Sequence, residues 1–445
     1  MRTSARNQPL RIAIDAQVLP NNGSGGVESV LVGLIHALGQ LNDGPEEYVI
    51  IAHADNPNWL SPYLGSKQRI VARPSNPVQK PRRLQPFKRM LGPLRTPIGK
   101  LWRELLMVPQ LPRRSWPDVS VSDGYYESLG CDVIHFPSQR FVLCALPTIY
   151  NPHDLQHLHY PQFFEPIAIA WRETIYRAGC HFAHTVVVSS QWIKEDIEQH
   201  YRINRDKVQV IPWAPPTQAQ SLPSTEQLQV VKARYRLETP FAYYPAVTWE
   251  HKNHLRLIEA LAHLRDQEGL SLRLVCTGDR YPRHWPHIEE KLQSLNLSGQ
   301  VQFLGMVPHE HLRAIYRLAQ FVVVPTLFEA ASAPVFEAWQ EDVPVACSTV
   351  TSLPQQTADA ALLFDPFSIE AIADAMRRMV TDGHLRADLV CKGQRRRQDF
   401  SWERTAKAYR AVYRRAAHFP LTDEDRYLLN WDWMRDSKPL KKEIV

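Results

Sequence analysis

Residues 320–348 read QFVVVPTLFEAASAPVFEAWQEDVPVACS, and this stretch predicts a complete strand–loop–helix–strand unit. The short, β-branched run at 321–324 is typical of a buried parallel strand. Pro334 suits the first turn of a helix, where its missing N–H is not needed. The apolar run at 343–347 predicts the next strand. Such a unit is the building block of a parallel α/β sheet.

The loop before this helix has the chemistry of a ligand site. A helix N-terminus presents free N–H groups and a positive dipole end, which attract phosphate. Small side chains at 330–333, with Ser332 or Ala333 as the helix cap, allow a ligand to approach the backbone. Glu329 and Glu337 can accept hydrogen bonds from sugar hydroxyls. A nucleotide-sugar fits this pattern, but a loop charge and a solvated helix residue would fit equally well.

The spacing of the two glutamates resembles a known signature. Glu329, seven intervening residues and Glu337, followed by Val-Pro-Val at 343–345, resemble the motif of retaining GT-B glycosyltransferases of family 4. The resemblance implies an α/β fold of two Rossmann-like domains facing across a cleft. It also implies that Glu329 faces the donor sugar and that Glu337 binds the ribose. The commoner Glu-Gly-Phe-Gly form is replaced here by Ala-Ala-Ser after the first glutamate, at 330–332.

Composition places the chain among ordinary globular proteins. Its 445 residues suffice for two or three domains, with 44% hydrophobic and 22% charged residues. No apolar run approaches the roughly 18–20 residues of a membrane span, and residues 1–7 lack the apolar core of a signal peptide. The six cysteines form no Cys-x-x-Cys pair, which argues against a disulfide framework and a zinc site. We therefore expect a cytoplasmic protein.

The N-terminal residues read as the opening of a nucleotide-binding α/β unit. A strand at 11–16 is followed by a glycine-rich turn at 21–26 and an amphipathic run at 27–41. The Gly-x-Gly-x-x-Gly fingerprint of dinucleotide binding is absent. The turn resembles the Gly-Gly loop of family 4, which implies that Gly25 and Gly26 are close backbone neighbours of the donor diphosphate and the acceptor.

A basic segment at 76–117 interrupts the strand pattern. It carries ten Lys or Arg residues against Glu104 alone, interleaved with apolar residues. Such a composition suits an anionic membrane surface or an anionic acceptor, and a solvated insertion on the first domain is an equal alternative. Nucleic acid, which basic segments also bind, is not expected as a partner. The candidate membrane or acceptor contacts are Arg82, Arg83, Lys88 and Arg89.

A cluster of histidines follows the predicted strand at 147–151. The resemblance implies that His153, just after this strand, lies against the donor sugar, where neutral imidazole is a useful polar contact. His153 and His157 are four residues apart and on a helix would suit a metal. Flanking prolines favour a short loop and no third ligand stands out, so we expect no metal, and loop packing for His157 and His159.

The second half repeats the α/β pattern. A strand at 241–247 leads into a polar turn with Lys252, and a lysine there can stabilise a departing diphosphate. The turn resembles the phosphate-binding element of family 4, although taken alone a surface lysine is the commoner explanation. Ala246 and His251 stand where the family often has arginine, which leaves the second cationic contact open. The expected domains are an acceptor domain at 1–213, a linker at 214–238, a donor domain at 239–400, a crossing-back helix at 401–418 and a tail at 419–445.

The resemblance implies a retaining hexosyltransferase of polysaccharide assembly. Sugar would pass from a nucleoside diphosphate donor to a hydroxyl of a glycan or lipid-linked acceptor, with no metal cofactor. The Lys252-Asn253 variant resembles mannosyl- and rhamnosyltransferases, which favours GDP-mannose over UDP-glucose. A membrane contact would make the protein peripheral on the inner membrane face. The alternatives are a nucleotide-sugar epimerase of the same fold, or an inactive scaffold that docks on anionic membrane or polymer.

Overall fold

The structure, a computed structural model, describes residues 8–19, 26–73, 119–215, 222–237 and 240–433. Three sets of predictions fall outside these residues: Gly25, the basic segment at 76–117 with Arg82, Arg83, Lys88 and Arg89, and the end of the tail. They therefore stay predictions. Among the described helices, none combines the length and the apolarity that a membrane span requires.

The first domain is built on a seven-stranded parallel sheet. Its strand order is β3-β2-β1-β4-β5-β6-β7. Successive residues of the first strand are buried on opposite faces, with Ile12 and Ile14 in one core and Ala13 in the other. Its strands are β1 (Leu10–Ala16), β2 (Glu46–His53), β3 (Gln68–Arg73), β4 (Val133–Phe136), β5 (Thr148–Tyr150), β6 (Thr185–Val188) and β7 (Val208–Val210).

The second domain is built on a six-stranded parallel sheet of order β10-β9-β8-β11-β12-β13. The predicted β-branched run forms its central strand, and all four of that strand's residues are buried. One continuous core surrounds this sheet. Its strands are β8 (Phe241–Pro245), β9 (Arg273–Thr277), β10 (Val301–Phe303), β11 (Phe321–Val324), β12 (Val345–Ser348) and β13 (Leu362–Phe364).

Helices cover both faces of each sheet, as parallel strands require. Those up to the end of the first domain are α1 (Gly26–Gln40), α2 (Tyr125–Ser128), α3 (Gln156–His159), α4 (Pro166–Phe182) and α5 (Gln191–Tyr201). The remaining described helices are α6 (Thr225–Arg234), α7 (His254–Glu268), α8 (Trp285–Ser294), α9 (His309–Leu318), α10 (Ala333–Gln340), α11 (Leu353–Thr357), α12 (Ile369–Thr381), α13 (Gly383–Arg397), α14 (Trp402–Ala416) and α15 (Asp423–Leu429).

The stretch expected as a linker contains a helix, α6. Ser224 accepts a hydrogen bond from the N–H of Gln227 while the Gln227 side chain accepts from the N–H of Ser224, which is a capping box. Val231 of this helix belongs to the core of the second domain. The Ser-x-x-Gln signal was present in the sequence, but the surrounding prolines and polar residues masked it.

The last described helices return to the first domain. Ala406, Tyr409 and Tyr413 of α14 are buried in the core of the N-terminal sheet. Helix α15 lies against α14, and Trp431 and Trp433 after it are buried in the same core. The aromatic residues of the tail, whose role the sequence left open, therefore help to hold the chain's end on the first domain.

Candidate active site

A cavity of about 720 Å³ lies between the two domains. Its walls come from loops that follow the carboxyl ends of strands in both sheets, where ligands of open α/β sheets bind. The first domain contributes Gly26 and His153 among others, and the second contributes Lys252 and Glu329. Four of the sequence-predicted site residues therefore meet at one cavity. Ser332, Ala333 and Glu337 are in the described chain but lie outside this lining.

Lys252 and Glu329 form an ion pair at the cavity. Lys252 ends a short 3-10 turn after β8, and Glu329 lies in the loop after β11. The Lys252 Nζ atom lies 2.5 Å from Glu329 Oε1, and the two side chains are 16% and 12% exposed. At this low exposure the pair is screened less than a surface pair. An entering anionic ligand would thus meet a lysine that already has a carboxylate partner.

Thr351 fixes the backbone of Glu329. The N–H of Glu329 donates to Thr351 Oγ1 at 3.0 Å, and that hydroxyl donates to the Glu329 carbonyl oxygen at 2.7 Å. A single side chain thus satisfies both backbone groups of the loop residue. No local sequence pattern predicts this contact, because the two residues lie on different loops of the sheet.

Asn253 braces the turn that carries Lys252. Its backbone φ of 62° is left-handed, and its side-chain amide donates at 2.9 Å to the carbonyl oxygens of Pro325 and Pro366. Asparagine tolerates this backbone better than most residues. These hydrogen bonds therefore join the turn that carries Lys252 to the end of β11, the strand that precedes Glu329.

We expect Asn253→Ala to destabilise the second domain by about 3 kcal/mol. The change leaves two buried carbonyl oxygens without donors, which costs about 1–3 kcal/mol each before relaxation. It also places alanine in a left-handed backbone conformation, which alanine disfavours. Asn253→Gly removes the same hydrogen bonds without the backbone strain. Calorimetric unfolding should rank the stabilities wild type, then Asn253→Gly, then Asn253→Ala. Equal stability of the two variants would contradict the contribution of the left-handed backbone.

The start of α10 is only partly as expected. Pro334 lies in the first turn and Ser332 is the cap residue, but the Ser332 side chain makes no capping hydrogen bond. Its backbone N–H is not free, because Gln356 Oε1 accepts it at 2.8 Å while Gln356 Nε2 donates to the Ser332 carbonyl at 2.9 Å. The Ser332 hydroxyl is buried without a hydrogen-bond partner. This hydroxyl, rather than the N–H, is the group left over for a ligand.

Glu337 lies one turn into α10 and is held by Tyr316. The Tyr316 hydroxyl donates to Glu337 Oε2 at 2.6 Å. Burial raises the pKa of Glu337 above its ordinary value, and the hydrogen bond from Tyr316 offsets this only in part. A carboxylate kept in such an environment is poised to gain from partners that donate hydrogen bonds, such as ribose hydroxyls.

The raised pKa of Glu337 predicts a pH dependence of stability. In the window just above the ordinary pKa of glutamate, the folded protein binds this proton more tightly than the unfolded chain does. The stability gained from the neutral form is lost as the pH rises through the raised pKa. Glu337→Gln keeps an acceptor for Tyr316 without the charge, so its melting temperature should exceed that of the wild type at weakly alkaline pH. Parallel melting curves across the pH range would contradict this expectation.

His153 is held as a neutral imidazole in an unusual backbone. Its φ is 70°, which is rare for a residue other than glycine. Nε2 donates to the carbonyl oxygen of Pro137 at 3.0 Å, and the ring lies 5.4 Å from that of Trp213 in an edge arrangement. Burial lowers the pKa of His153. Nδ1 is buried without a partner and is therefore free to accept a hydrogen bond from a ligand hydroxyl.

The structure adds cations that the sequence did not single out. Arg140 and Arg172 line the cavity from the first domain. The Arg172 guanidinium lies over the ring of Phe164, 4.7 Å from its centroid. His251 does not supply a charge, since burial, followed by the charge of Lys252, holds its pKa well below the ordinary value. Arg172 lies on α4, and its position at the cleft depends on how this helix packs on its sheet.

The first domain also contacts loops of the second domain directly. Ser189 Oγ donates to the carbonyl oxygen of Ala330 at 2.9 Å, and the hydroxyls of Ser190 and Ser352 lie 2.7 Å apart. Ser190 also caps α5, because its side chain accepts a hydrogen bond from the N–H of Ile193. The serine pair after β6 therefore supports the loop that carries Glu329 from across the cleft.

Comparisons with known proteins agree with this architecture. The family model of the group 1 glycosyl transferases matches residues 227–396, and the model described as Glycosyltransferase Family 4 matches residues 24–214. One match falls in each domain, and together they span well over half of the chain.

Individual relatives are distant. The chain is 26% identical over 273 residues to O-antigen chain mannosyltransferase B of Escherichia coli, covering 58% of this chain and 69% of the relative. It is 26% identical over 240 residues to a D-inositol 3-phosphate glycosyltransferase of Corynebacterium glutamicum (strain R), covering 52% of this chain and 57% of that protein. The match to the second thus spans less than two thirds of its length.

The fold is also that of solved structures. Sucrose-phosphate synthase from Thermosynechococcus elongatus superposes with a TM-score of 0.63 at 20% identity, over 91% of this chain and 98% of that chain. At this identity the likeness concerns the fold. The chain therefore belongs to glycosyltransferase family 4, the group 1 glycosyl transferases, and its two Rossmann-like domains form a GT-B fold.

Proposed function

We propose that this glycosyltransferase moves a hexose, with mannose favoured, from a nucleoside diphosphate sugar to a hydroxyl of a glycan or lipid-linked acceptor in polysaccharide assembly, with retention. The observation that carries the proposal is the convergence of Lys252, Glu329 and His153 on one cavity between the domains. A cation, a carboxylate and a neutral imidazole are the groups needed for a diphosphate and a sugar rich in hydroxyls.

The free protein suggests how the donor is received. Without a ligand, the Lys252 ammonium donates a hydrogen bond to the Glu329 carboxylate, so each charge has a partner. On donor binding, the lysine ammonium turns to the diphosphate, where it stabilises the charge that develops as the sugar–oxygen bond breaks. The carboxylate of Glu329 then accepts hydrogen bonds from sugar hydroxyls, as does Nδ1 of His153. The ion pair is exchanged for ligand contacts, so neither charge is left buried and unpaired.

Glu337 takes the ribose in this proposal. It lies eight residues beyond Glu329 and its backbone continues from the loop that borders the cavity. Tyr316 donates to one oxygen and orients the carboxyl group. The buried, unpartnered hydroxyl of Ser332 is the candidate phosphate contact at the start of α10. Retention proceeds by attack on the face that the diphosphate leaves, without the paired carboxylates of a retaining glycosidase.

Two features favour mannose from GDP-mannose. The Lys252-Asn253 pair resembles mannosyl- and rhamnosyltransferases, and the E. coli relative is named as an O-antigen chain mannosyltransferase. That name describes the relative's acceptor chemistry as well, which supports a growing polysaccharide as the acceptor class. No metal is required in this scheme, because Lys252 and the helix termini supply the positive potential.

A thermal-shift panel with GDP-, UDP-, ADP- and dTDP-sugars tests the donor site. A donor at one hundred times its Kd should stabilise the wild type by about 2.7 kcal/mol, and one nucleotide should stand out. At the same donor concentration Lys252→Ala and Glu337→Ala should show a clearly smaller shift, about 0.4–1.4 kcal/mol for a 10–100-fold loss of affinity. Lys291→Ala should keep the full shift. Lys291 forms a similar ion pair, with its Nζ 2.6 Å from Glu259 Oε1, but neither residue lines the cavity.

The outcomes separate the alternatives. A smaller shift in both site variants but not in the control supports the donor site, and product analysis with an acceptor then distinguishes transfer from epimerisation of the sugar. Absence of a shift with every nucleotide-sugar contradicts the transferase proposal and favours the scaffold.

We also propose that the basic segment at 76–117 contacts an anionic surface, since ten basic residues with interleaved apolar ones suit a membrane or an anionic acceptor. Replacing Arg82, Arg83, Lys88 and Arg89 by glutamine should weaken binding to liposomes of anionic lipid, by about 1 kcal/mol for each charge that reaches the surface. Sedimentation with liposomes measures this, with neutral liposomes as the control. Unchanged sedimentation would rule out the membrane contact.

A further inference from the structure

A second cluster of ligand-type side chains lies in the first domain, outside the residues that line the cavity. His159 ends the short helix α3, and Asp196 and His200 are one turn apart on α5. His159 Nε2 lies 2.7 Å and His200 Nδ1 3.1 Å from the same carboxylate oxygen, Asp196 Oδ1. One ligand atom from each of the three residues lies within 4.8 Å of the others.

From this geometry we infer that His159, Asp196 and His200 bind a divalent transition metal, with Zn²⁺ as the preferred ion. Two imidazole nitrogens and one carboxylate oxygen are the donor set that Zn²⁺ prefers when thiolates are absent. Zinc bonds of about 2.0 Å place neighbouring ligands about 3.3 Å apart in a tetrahedron. The two nitrogen–oxygen separations, 2.7 and 3.1 Å, lie slightly below that value.

The carboxylate itself supplies the second observation. Asp196 is 6% exposed, and its other oxygen, Oδ2, is buried with no hydrogen-bond partner. If the two histidines served only to satisfy a buried aspartate, they would be expected to use both of its oxygens. Only His159 hydrogen-bonds the carboxylate, at Oδ1, whereas Nδ1 of His200 donates to the backbone carbonyl oxygen of Asp196 at 2.9 Å, so Oδ2 is left without a donor. A bound cation would satisfy both oxygens and both rings at once.

Access and entry are compatible with an ion from solution. The His159 and His200 side chains are 29% and 33% exposed, whereas Asp196 forms the floor. The two rings meet edge to face, with centroids 5.4 Å apart and planes at 72°. Three protein ligands then leave the fourth position to water on the open side. The i,i+4 spacing of Asp196 and His200 puts both on one face of α5.

Such an ion would have a structural role. It would tie the end of α3 to α5, across a contact that now depends on a hydrogen bond from His159 to Asp196. The His159 ring also lies 5.5 Å from the ring of Phe328, the residue before Glu329, and 5.4 Å from that of Trp192. A metal-bound His159 would thus form a fixed wall beside the loop that carries the donor glutamate.

Calorimetric titration of the full-length, tag-free chain with ZnCl₂ after EDTA treatment tests the site without using catalysis. We expect one Zn²⁺ per chain, and a melting temperature that rises with zinc concentration as linkage requires. His159→Gln and His200→Gln should each weaken zinc binding by about 100-fold, at or above the cost of losing an outer-shell partner. Circular dichroism checks that both variants are folded.

His384→Gln is the control. His384 is an exposed histidine on α13, outside the cluster, so this variant should bind zinc as the wild type does. Asp196→Asn, which preserves shape, should abolish the visible absorption that tetrahedral Co²⁺ gives in the wild type. Zinc binding that persists in both histidine variants, or that is absent from the wild type, would overturn the inference. Neither result depends on donor binding, so the zinc proposal is supported or contradicted independently of the glycosyltransferase site.

Discussion

Glu329→Gln is expected to lower kcat for sugar transfer by about 100–1000-fold, the size of effect seen when one preorganised electrostatic partner of a transition state is removed. The glutamine keeps the shape of the side chain and one acceptor oxygen. It lacks the negative charge that, in the proposed role, faces the sugar ring as positive charge develops there. Since Thr351 holds the Glu329 backbone from both sides, the loop should keep its conformation.

The same substitution should leave binding of the free nucleoside diphosphate intact or make it up to about tenfold tighter, a gain of up to 1.4 kcal/mol. In the free protein the Glu329 carboxylate is paired with the Lys252 ammonium. The phosphate must therefore compete with this carboxylate for the ammonium group. Removing the carboxylate charge releases the lysine for the phosphate. Titration calorimetry with the nucleoside diphosphate, beside steady-state kinetics with the full donor, separates the two effects.

Glu259→Gln is the matched control for Glu329→Gln. Glu259 accepts from Lys291 at 2.6 Å, nearly as Glu329 does from Lys252, but lies outside the cavity lining. It should change neither kcat nor nucleotide affinity. A Glu329→Gln variant that transfers sugar at the wild-type rate, or that loses nucleotide affinity more than tenfold, would remove Glu329 from the role proposed here.

The fold was predictable because its signals are local. The β-branched run that became β11 has all four residues buried, and the amphipathic run predicted at 27–41 forms the helix α1, Gly26–Gln40. Strand burial on both faces gives continuous apolar runs, and prolines and capping serines mark the helix starts. Where a local signal was hidden among turn-forming residues, as at Ser224, the helix was missed.

The candidate site was predictable only in part. The sequence, with its family resemblance, singled out Lys252, Glu329 and His153, which the structure brings to one cavity. Their roles toward a ligand stay proposals. The groups that hold them in place were not foreseen, among them Thr351 and the amide of Asn253 that reaches Pro366. These contacts join residues 22 and 113 positions apart, and no periodicity or spacing encodes such pairs.

The cationic residues of the cavity were also predictable only in part from the sequence. The sequence left a second cation undefined because Ala246 and His251 stand where arginine is usual. The structure brings Arg172 to the cavity from a helix of the other domain. Which face of α4 meets the cleft follows from how the helix packs on its sheet, so the residue could be seen in the sequence but its position in the cleft could not.

Lys252→Ala is expected to lower kcat/KM for the donor by about 1000-fold. In the proposed role the ammonium stabilises the departing diphosphate, and its loss also leaves Glu329 as an unpaired carboxylate of low exposure. In contrast to Glu329→Gln, this variant should bind the free nucleoside diphosphate about 10–100-fold more weakly, because a hydrogen bond to a charged group contributes about 1.5–3 kcal/mol.

The two substitutions therefore move nucleotide affinity in opposite directions, and their combination is informative. Lys252 and Glu329 are in contact, so their effects should not add. The double variant Lys252→Ala, Glu329→Gln should lose less nucleotide affinity than Lys252→Ala alone, since it no longer buries an unpaired carboxylate beside the phosphate. Lys252→Arg, which keeps the charge, should retain part of the affinity. If Lys252→Ala bound the nucleotide as the wild type does, the ion pair would be a structural contact between β8 and β11, and the phosphate site would have to lie elsewhere in the cleft.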